Sequence, residues 1–206
     1  TALHARGLQV LVATFVATGA IFGSVDVTTV AFADERGHKG AASVVLALYA
    51  AGSCVAGVVF GLLHFKGAPA RRWLLGICAM AVSMIPLLLV GNLPFLAVAL
   101  FVSGLSIAPT MITTMSLIEE HVPRAQLTEG MTWISTGLAV GVALGSSVAG
   151  WVIDAAGARA GYGVPAVSGA VAVAVGFLGY RRLSRPAPRR GGTVEQHSER
   201  EERHVA

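Results

Sequence analysis

The chain has 206 residues, of which 54% are hydrophobic and 13% are charged, and its formal net charge is +4. Soluble domains carry about 25% charged residues, so this chain has about half the usual charge. Such a composition excludes a disordered chain, a disulfide-rich scaffold and an ordinary soluble enzyme, and it indicates a membrane protein.

Six stretches are long and apolar enough to cross a bilayer, which requires about 20 predominantly apolar residues. Buried helices of a soluble protein are a poor alternative, because Asp26 is the one acidic residue at depth in these stretches. The sequence therefore predicts an all-α polytopic membrane bundle. Numbered as spans 1 to 6, the stretches cover residues 8–33, 41–65, 73–90, 95–118, 127–153 and 162–180.

The Lys and Arg residues are distributed unevenly between the two sides of the predicted bundle. Three of the 15 (Arg36, Lys39 and Arg159) lie on one side and the other 12 on the side of the chain ends. Positive charge concentrates in cytoplasmic segments, so both termini are predicted to be cytoplasmic in a multi-pass plasma-membrane protein. Residues 1–7 form a cytoplasmic segment, 8–182 the transmembrane domain and 183–206 a charged disordered tail.

Several kinds of site are not indicated. The six histidines lack ligand spacing, and Cys54 and Cys78 each lie inside a span, where packing is the expected role. No phosphate-binding Gly-x-x-x-x-Gly-Lys-Ser/Thr loop and no nucleophile–base pair is present, so neither a cofactor nor an enzyme is predicted. No basic patch interleaved with aromatic residues indicates nucleic-acid binding.

A weak internal repeat relates the two halves of the predicted bundle. A shift of 85 residues places Gly19 on Gly104, Gly52 on Gly137, and the threonine pair 28–29 on 113–114. Because 85 residues cover three spans, an odd number, the second copy, 95–182, must be inverted in the membrane relative to the first, 8–90. Inverted three-span repeats are typical of secondary transporters.

Six short segments carry a family resemblance. They are GSVD at 23–26, AFADERG at 31–37, LALYAAGS at 46–53, EEHVP at 119–123, TWISTG at 132–137 and GWVIDAAGAR at 150–159. With these, the region 8–182 resembles the C-terminal half, spans seven to twelve, of a major facilitator superfamily transporter, most closely the actinobacterial multidrug or proton-antiport type. The resemblance implies a partner, which is either an N-terminal six-helix half or a second copy of the chain.

One family motif occurs in an unexpected place. The resemblance implies a Gly-x-x-x-Asp-x-x-Gly-x-Arg loop between spans 2 and 3, but the segment there, 61–67, lacks the acid. A complete version, formed by Gly150, Asp154, Gly157 and Arg159, lies instead in the outside loop between spans 5 and 6. The resemblance implies a gating or loop role for these four residues, and the cytoplasmic gate contact that the motif usually provides is not expected in this half.

Asp26 is the strongest single candidate for a functional residue, because carboxylates within spans are usually turned inward and functional. It shares a helical stripe with Thr14, Thr18, Phe22 and Thr29, which predicts a surface that lines a cavity. Asp26 is expected to bind a proton or a cationic substrate. The alternative is a structural acid that is hydrogen-bonded to a neighbour or paired with a basic group of a partner half.

Two further groups could line the same path. In span 4, Ser103, Ser106 and the threonines Thr110, Thr113 and Thr114 share one face beside the helix-kinking Pro109. They could contact a mostly apolar substrate, or they could satisfy one another across helices. Tyr49 in span 2 could likewise contact substrate or simply pack.

Other patterns indicate packing, anchoring and gating. Gly137, Gly141 and Gly145 form a small-residue ridge on which another helix can approach closely. Trp73, Trp133 and Tyr162 lie near span ends, which predicts anchoring at the lipid headgroups. In the loop between spans 4 and 5 the charged side chains could close a gate against the partner half or remain solvated; they are Glu119, Glu120, Arg124 and Glu129.

Taken together, these features predict secondary transport of a small molecule. Proton-coupled efflux by the C-terminal half of a transporter is the expected activity, with a lipid bilayer, a second half and a small-molecule substrate as partners. A truncated or non-transporting six-span membrane protein is the alternative.

Overall fold

The computed structural model describes residues 6–63, 68–122 and 124–183, and these contain α-helices and short 3-10 segments without strands. Six helical stretches are long and apolar enough to span a membrane, which confirms the predicted all-α class. Their bounds lie within four residues of the predicted ones at every end. The stretches are Gly7–Glu35, Lys39–Leu62, Pro69–Leu89, Leu93–Glu120, Leu127–Ala156 and Ala158–Tyr180, which we keep as spans 1 to 6.

Three of the spans are interrupted. Span 3 is interrupted near its end and span 4 near its middle, and span 6 begins with one separate turn. The helices in chain order are α1 (Arg6–Glu35), α2 (Lys39–Leu62), α3 (Pro69–Ser83), α4 (Leu93–Gly104), α5 (Ile107–His121), α6 (Leu127–Ala156), α7 (Ala158–Gly161) and α8 (Gly163–Leu183). A 3-10 segment, Ile85–Leu89, completes span 3, and another, Arg124–Gln126, precedes α6.

Prolines account for the interruptions of spans 3 and 4. Pro86 lacks an amide hydrogen and disfavours helical backbone at the preceding residue, so α3 ends just before it. The expected kink at Pro109 falls earlier, at residues 105–106, and Pro109 itself occupies the first turn of α5, where proline is tolerated. At the start of α4 the Asn92 side chain accepts a hydrogen bond of 2.8 Å from the amide of Phe95.

The spans pair in a pattern that repeats between the two halves. Span 1 packs against spans 5 and 6, and span 4 packs against spans 2 and 3, while spans 3 and 6 contact each other. Exchanging span 1 with 4, 2 with 5 and 3 with 6 leaves these main pairings unchanged. We call the end of the bundle where span 1 begins the terminal end, and the end where it finishes the distal end.

Glycines allow the closest of these contacts. A side chain at Gly19 would collide with the backbone of Leu138 and Val142 on span 5, and one at Gly141 would collide with the backbone of Val16. Gly145 is equally close to Ala20. Within a bilayer, helices associate through van der Waals packing of this kind rather than through a hydrophobic drive, so the predicted packing ridge has a direct physical basis.

The same contacts recur in the other half at the predicted shift. Gly104 lies against Tyr49 and Ser53 of span 2. The contact of Gly104 with Ser53 corresponds to the contact of Gly19 with Leu138, because Gly104 follows Gly19, and Leu138 follows Ser53, by 85 residues. Gly52 lies against Phe101, and Gly137 lies against Val16, which are again 85 residues apart in each case. The packing therefore follows the internal repeat of the sequence.

Two clusters of buried side chains fill the bundle. The cluster nearer the terminal end includes Leu11, Phe15, Trp73, Ile77 and Leu117, and the one nearer the distal end includes Val25, Phe32, Tyr49, Met80 and Tyr162. The predicted headgroup anchoring by Trp73 and Tyr162 is wrong, because both side chains are fully buried between spans. Each lies near a span end in sequence but faces a neighbouring helix.

We predict that Gly141→Leu destabilises the chain and that Gly150→Leu does not. The leucine at 141 would meet the backbone of Val16, and overpacking of this kind costs about 1–3 kcal/mol. Gly150 lies on the same helix with no heavy atom within 4 Å of an added Cβ. Thermal unfolding of the detergent-purified chain, followed by circular dichroism, compares the two, and equal midpoints would contradict the proposed contact.

Candidate functional site

One strip of span 1 is open, and it carries Asp26. Span 1 is the most enclosed of the six spans, since spans 2, 5 and 6 cover most of its circumference. Phe22, Asp26 and Val30 follow one another at four-residue spacing on the uncovered side; Asp26 and Val30 are exposed, and Phe22 is half-buried. We call the uncovered surface formed by these three residues the open strip. Asp26 is its one charged residue, between two apolar side chains.

The predicted threonines of span 1 do not share the open strip. Thr14, Thr18 and Thr29 are buried, and the hydroxyls of Thr14 and Thr18 donate to carbonyls four residues earlier in their own helix, those of Val10 and Thr14. Such bonds satisfy a hydroxyl without a partner helix. The surface open to a ligand is therefore narrower than the predicted stripe.

Tyr49 on span 2 is a polar residue of the distal cluster, against which Phe22 of the open strip packs. Its side chain is buried in that cluster, which also contains Val25. Among the described residues its hydroxyl has no hydrogen-bond partner. A buried, unpaired hydroxyl is unusual because it forgoes about 1–3 kcal/mol of solvation, so Tyr49 has a hydrogen-bond donor to offer.

The hydroxyl-bearing face of span 4 is directed elsewhere. Thr110, Thr113 and Thr114 are buried and donate within their own helix to Ser106, Pro109 and Thr110 respectively, at 2.7–2.8 Å. Thr110 also lies against Gly76 of span 3. The hydrogen bond between spans that this face makes is from the Ser103 hydroxyl to the Ser83 carbonyl on span 3, at 2.9 Å. The face thus stabilises the contact of spans 3 and 4.

Polar and aromatic contacts join the distal ends of spans 1 and 6. The hydroxyls of Thr29 and Tyr162 are 3.1 Å apart and fully buried. The Tyr162 ring meets the Phe32 ring edge-to-face, with centroids 5.9 Å apart and an interplanar angle of 69°. Aromatic pairs in this arrangement contribute about 0.5–1.5 kcal/mol beyond their buried area.

Two charged residues at the end of span 1 extend this junction to other loops. The Arg36 guanidinium lies 3.5 Å from the Phe32 ring centroid and donates to the Gly91 carbonyl, between spans 3 and 4, at 3.0 Å. The Glu35 carboxylate accepts a hydrogen bond of 2.8 Å from the Ala158 amide at the start of α7. We call the set of Thr29, Phe32, Glu35, Arg36, Gly91, Ala158 and Tyr162 the distal clasp.

The loop motif between spans 5 and 6 is organised around this clasp. Gly157 has a φ of 85°, a left-handed conformation that favours glycine, and it turns the chain so that the Ala158 amide faces Glu35. Asp154 and Arg159 are exposed beside it, and Gly150 is half-buried. The sequence did not indicate the roles of Glu35, Arg36 and Tyr162, since their partners lie 55 to 133 residues away.

The predicted gate residues lie at the terminal end of span 4. Glu119 and Glu120 are exposed in the last turn of α5, and Glu129 is half-buried in the first turn of α6. The side chain of Arg124 falls outside the described part of the structure. These acids lie at the terminal end of the bundle, whereas the open strip lies in the distal half of span 1. They therefore form a separate group.

Comparison with known proteins identifies the family. A family model, Major Facilitator Superfamily, matches residues 5–204, and the chain therefore belongs to this superfamily. Two crystal structures of a mutant peptide transporter POT share the fold. The complex with alafosfalin matches with a TM-score of 0.72 and 18% identity, and the complex with sulfate with 0.75 and 17%.

Both matches cover 97% of this chain but 44% of the transporter, so the chain spans less than half of the length of these relatives. No curated protein matches the chain in sequence. The findings confirm the predicted superfamily and a fold that corresponds to half of such a transporter, while its assignment as the C-terminal half stays a prediction. The multidrug or antiport subtype stays a prediction.

We predict opposite effects of removing two buried tyrosine hydroxyls. Tyr162→Phe removes the hydrogen bond to Thr29 and should lower the unfolding free energy by about 0.5–1.5 kcal/mol. Tyr49→Phe removes a hydroxyl without a hydrogen-bond partner in the described part of the chain, so stability should stay the same or rise. Thermal or denaturant unfolding of the two variants tests this, and a larger loss for Tyr49→Phe would refute the hydrogen-bond assignment.

Proposed function

We propose that the chain is one half of a secondary transporter that exports a small molecule in exchange for protons, with Asp26 as the group that binds the proton. The observation that carries this proposal is the exposed carboxylate on the open strip of the most enclosed span. A charged side chain at the centre of a span costs about 2.5–3.5 kcal/mol on insertion scales, so such residues mark ion and substrate pathways. Protonation of Asp26 removes that cost. It can therefore shift the half between its two conformations in the transport cycle.

The substrate path is proposed to run along the open strip. Phe22 supplies an apolar surface, and Tyr49 offers a hydroxyl donor that has no hydrogen-bond partner among the described residues. Thr18, Thr29, Thr110, Thr113 and Thr114 are proposed to line the path only where the helices separate during transport, because their hydroxyls are buried in this structure. These features suit a small, mostly apolar molecule with a donor or a positive charge.

A second six-span half is the proposed partner, either an N-terminal half or a second copy of this chain. The match to less than half of the related transporters supports it. In this proposal the halves rock in the bilayer around a site near the midplane. Glu119 and Glu120 contact the partner at one end to close a gate, while the motif formed by Gly150, Asp154, Gly157 and Arg159 shapes the opposite end.

We predict that Asp26→Asn abolishes gradient-driven transport, whereas Asp34→Asn does not. Both acids lie on span 1, but Asp34 is at the distal surface, where it pairs with Lys39 at 3.2 Å. Proteoliposomes that contain the chain together with its second half should lose pH-driven ethidium transport at least tenfold in Asp26→Asn, while dye exchange at equal pH persists. Infrared difference spectra on acidification should show a protonated carboxyl band that the variant lacks.

Two outcomes would reject this proposal. If Asp26→Asn keeps its gradient-driven transport and the carboxyl band, the acid is structural. If the unmodified protein moves neither dye nor protons, the alternative of a non-transporting six-span protein is favoured.

We also predict the orientation, from the 12-to-3 distribution of Lys and Arg. In a background with Cys54→Ala and Cys78→Ala, Lys39→Cys should react with a membrane-impermeant thiol reagent in intact cells. Ala125→Cys, which lies in the terminal-end loop, should react only after permeabilisation. Both positions are exposed. The reverse pattern would overturn the prediction of cytoplasmic termini and plasma-membrane topology.

A further inference from the structure

A narrow groove runs between spans 5 and 6 on the distal half of the bundle. Its volume is about 400 Å³, and span 1 forms its floor. Its lining is almost entirely apolar and includes Ala20, Leu144, Val148, Val152, Val164 and Ser168. Beyond the turn α7, spans 5 and 6 make few contacts with each other, because α6 and α8 both pack on span 1, and the space between these two helices stays open.

The groove opens on a different side of span 1 from Asp26. Ala20 precedes Asp26 by six residues, and at 3.6 residues per turn this places it about 120° around the helix. Leu144 and Val152, and likewise Ala160 and Ser168, are eight residues apart, so the groove is about 12 Å long and runs parallel to the helices. A long, thin and apolar space of this shape fits a single hydrocarbon chain.

An exposed arginine and an exposed tryptophan lie at the distal end of the groove. Arg159 is exposed and directly precedes Ala160, which lines the groove. Trp151 on span 5 is 74% exposed at the same end. Tryptophan is enriched at the membrane–water interface, and a guanidinium binds phosphate oxygens in a forked geometry. The apolar lining matches the acyl chain of a phospholipid, and the exposed Arg159 guanidinium, although Asp154 is exposed at the same end, matches its phosphate.

We propose that this groove binds one glycerophospholipid of the surrounding bilayer, with an acyl chain between spans 5 and 6 and its phosphate on Arg159. The lipid fills the gap that the close packing of both spans on span 1 leaves open. This site is separate from the open strip, and its occupancy does not depend on the proposed transport activity.

Substitutions that fill the groove test the proposal. The full chain, delipidated and then mixed with dioleoyl-phosphatidylglycerol in detergent, should retain about one lipid per molecule in native mass spectrometry. Ser168→Phe should reduce occupancy at least tenfold, whereas Ala170→Phe, on an exposed face of the same helix outside the groove lining, should leave it unchanged. Arg159→Gln should weaken retention several-fold while a lipid can still enter.

Each of the other outcomes counts against the site. No retained lipid, equal loss in Ser168→Phe and Ala170→Phe, or full retention in Ser168→Phe would overturn it. Should Ser168→Phe not fold, Val167→Phe at the exposed rim replaces it with the same expectation. The measurement is repeated on the chain joined to its second half, and if lipid binds only to the isolated chain, a protein segment occupies the groove and the proposal is rejected.

Discussion

The close approach of the backbones of spans 1 and 5 determines the arrangement of the rest of the bundle. Gly19 and Gly23 on one helix, and Gly141 and Gly145 on the other, leave no room for side chains between them. Because lipid is as apolar as the helices, this packing must supply the association that hydrophobic burial supplies in soluble proteins. It places span 1 in the interior of the chain's own bundle, so that one strip of its surface remains open.

The two repeats share these glycine packing contacts but differ in their polar and charged residues. Gly104 and Gly52 reproduce the contacts of Gly19 and Gly137, whereas the position 85 residues after Asp26 is Met111, an apolar residue that packs against the cluster nearer the terminal end. The paired threonines also diverge, since Thr29 bonds to Tyr162 across spans and Thr114 donates within its own helix. A single acid in one copy makes the bundle chemically asymmetric although its packing is nearly symmetric.

Local patterns were sufficient to predict the parts of the structure that depend on local properties. Apolar runs gave span bounds within four residues, and the spacing of Gly137, Gly141 and Gly145 identified a packing ridge. The distal clasp could not be predicted, because a hydrogen bond such as that of Glu35 to Ala158 joins residues 123 positions apart and leaves no mark in either segment. The misassigned Trp73 and Tyr162 show the same limit, since position along a span does not reveal which neighbour a ring faces.

The distal clasp and the open strip complement each other mechanically. Rocking of a half around a central site requires that its helices move together, because a bundle that spreads at one end would dissipate the movement internally. Glu35 and Arg36 connect the end of span 1 to the loop before α4 and to the start of α7, and Tyr162 connects it to span 6. All three connections start within ten residues of Asp26. In the proposed mechanism, a change of charge at that carboxylate acts on a helix that is bonded both to the loop before α4 and to the second repeat, so protonation of Asp26 would bias the position of the whole half.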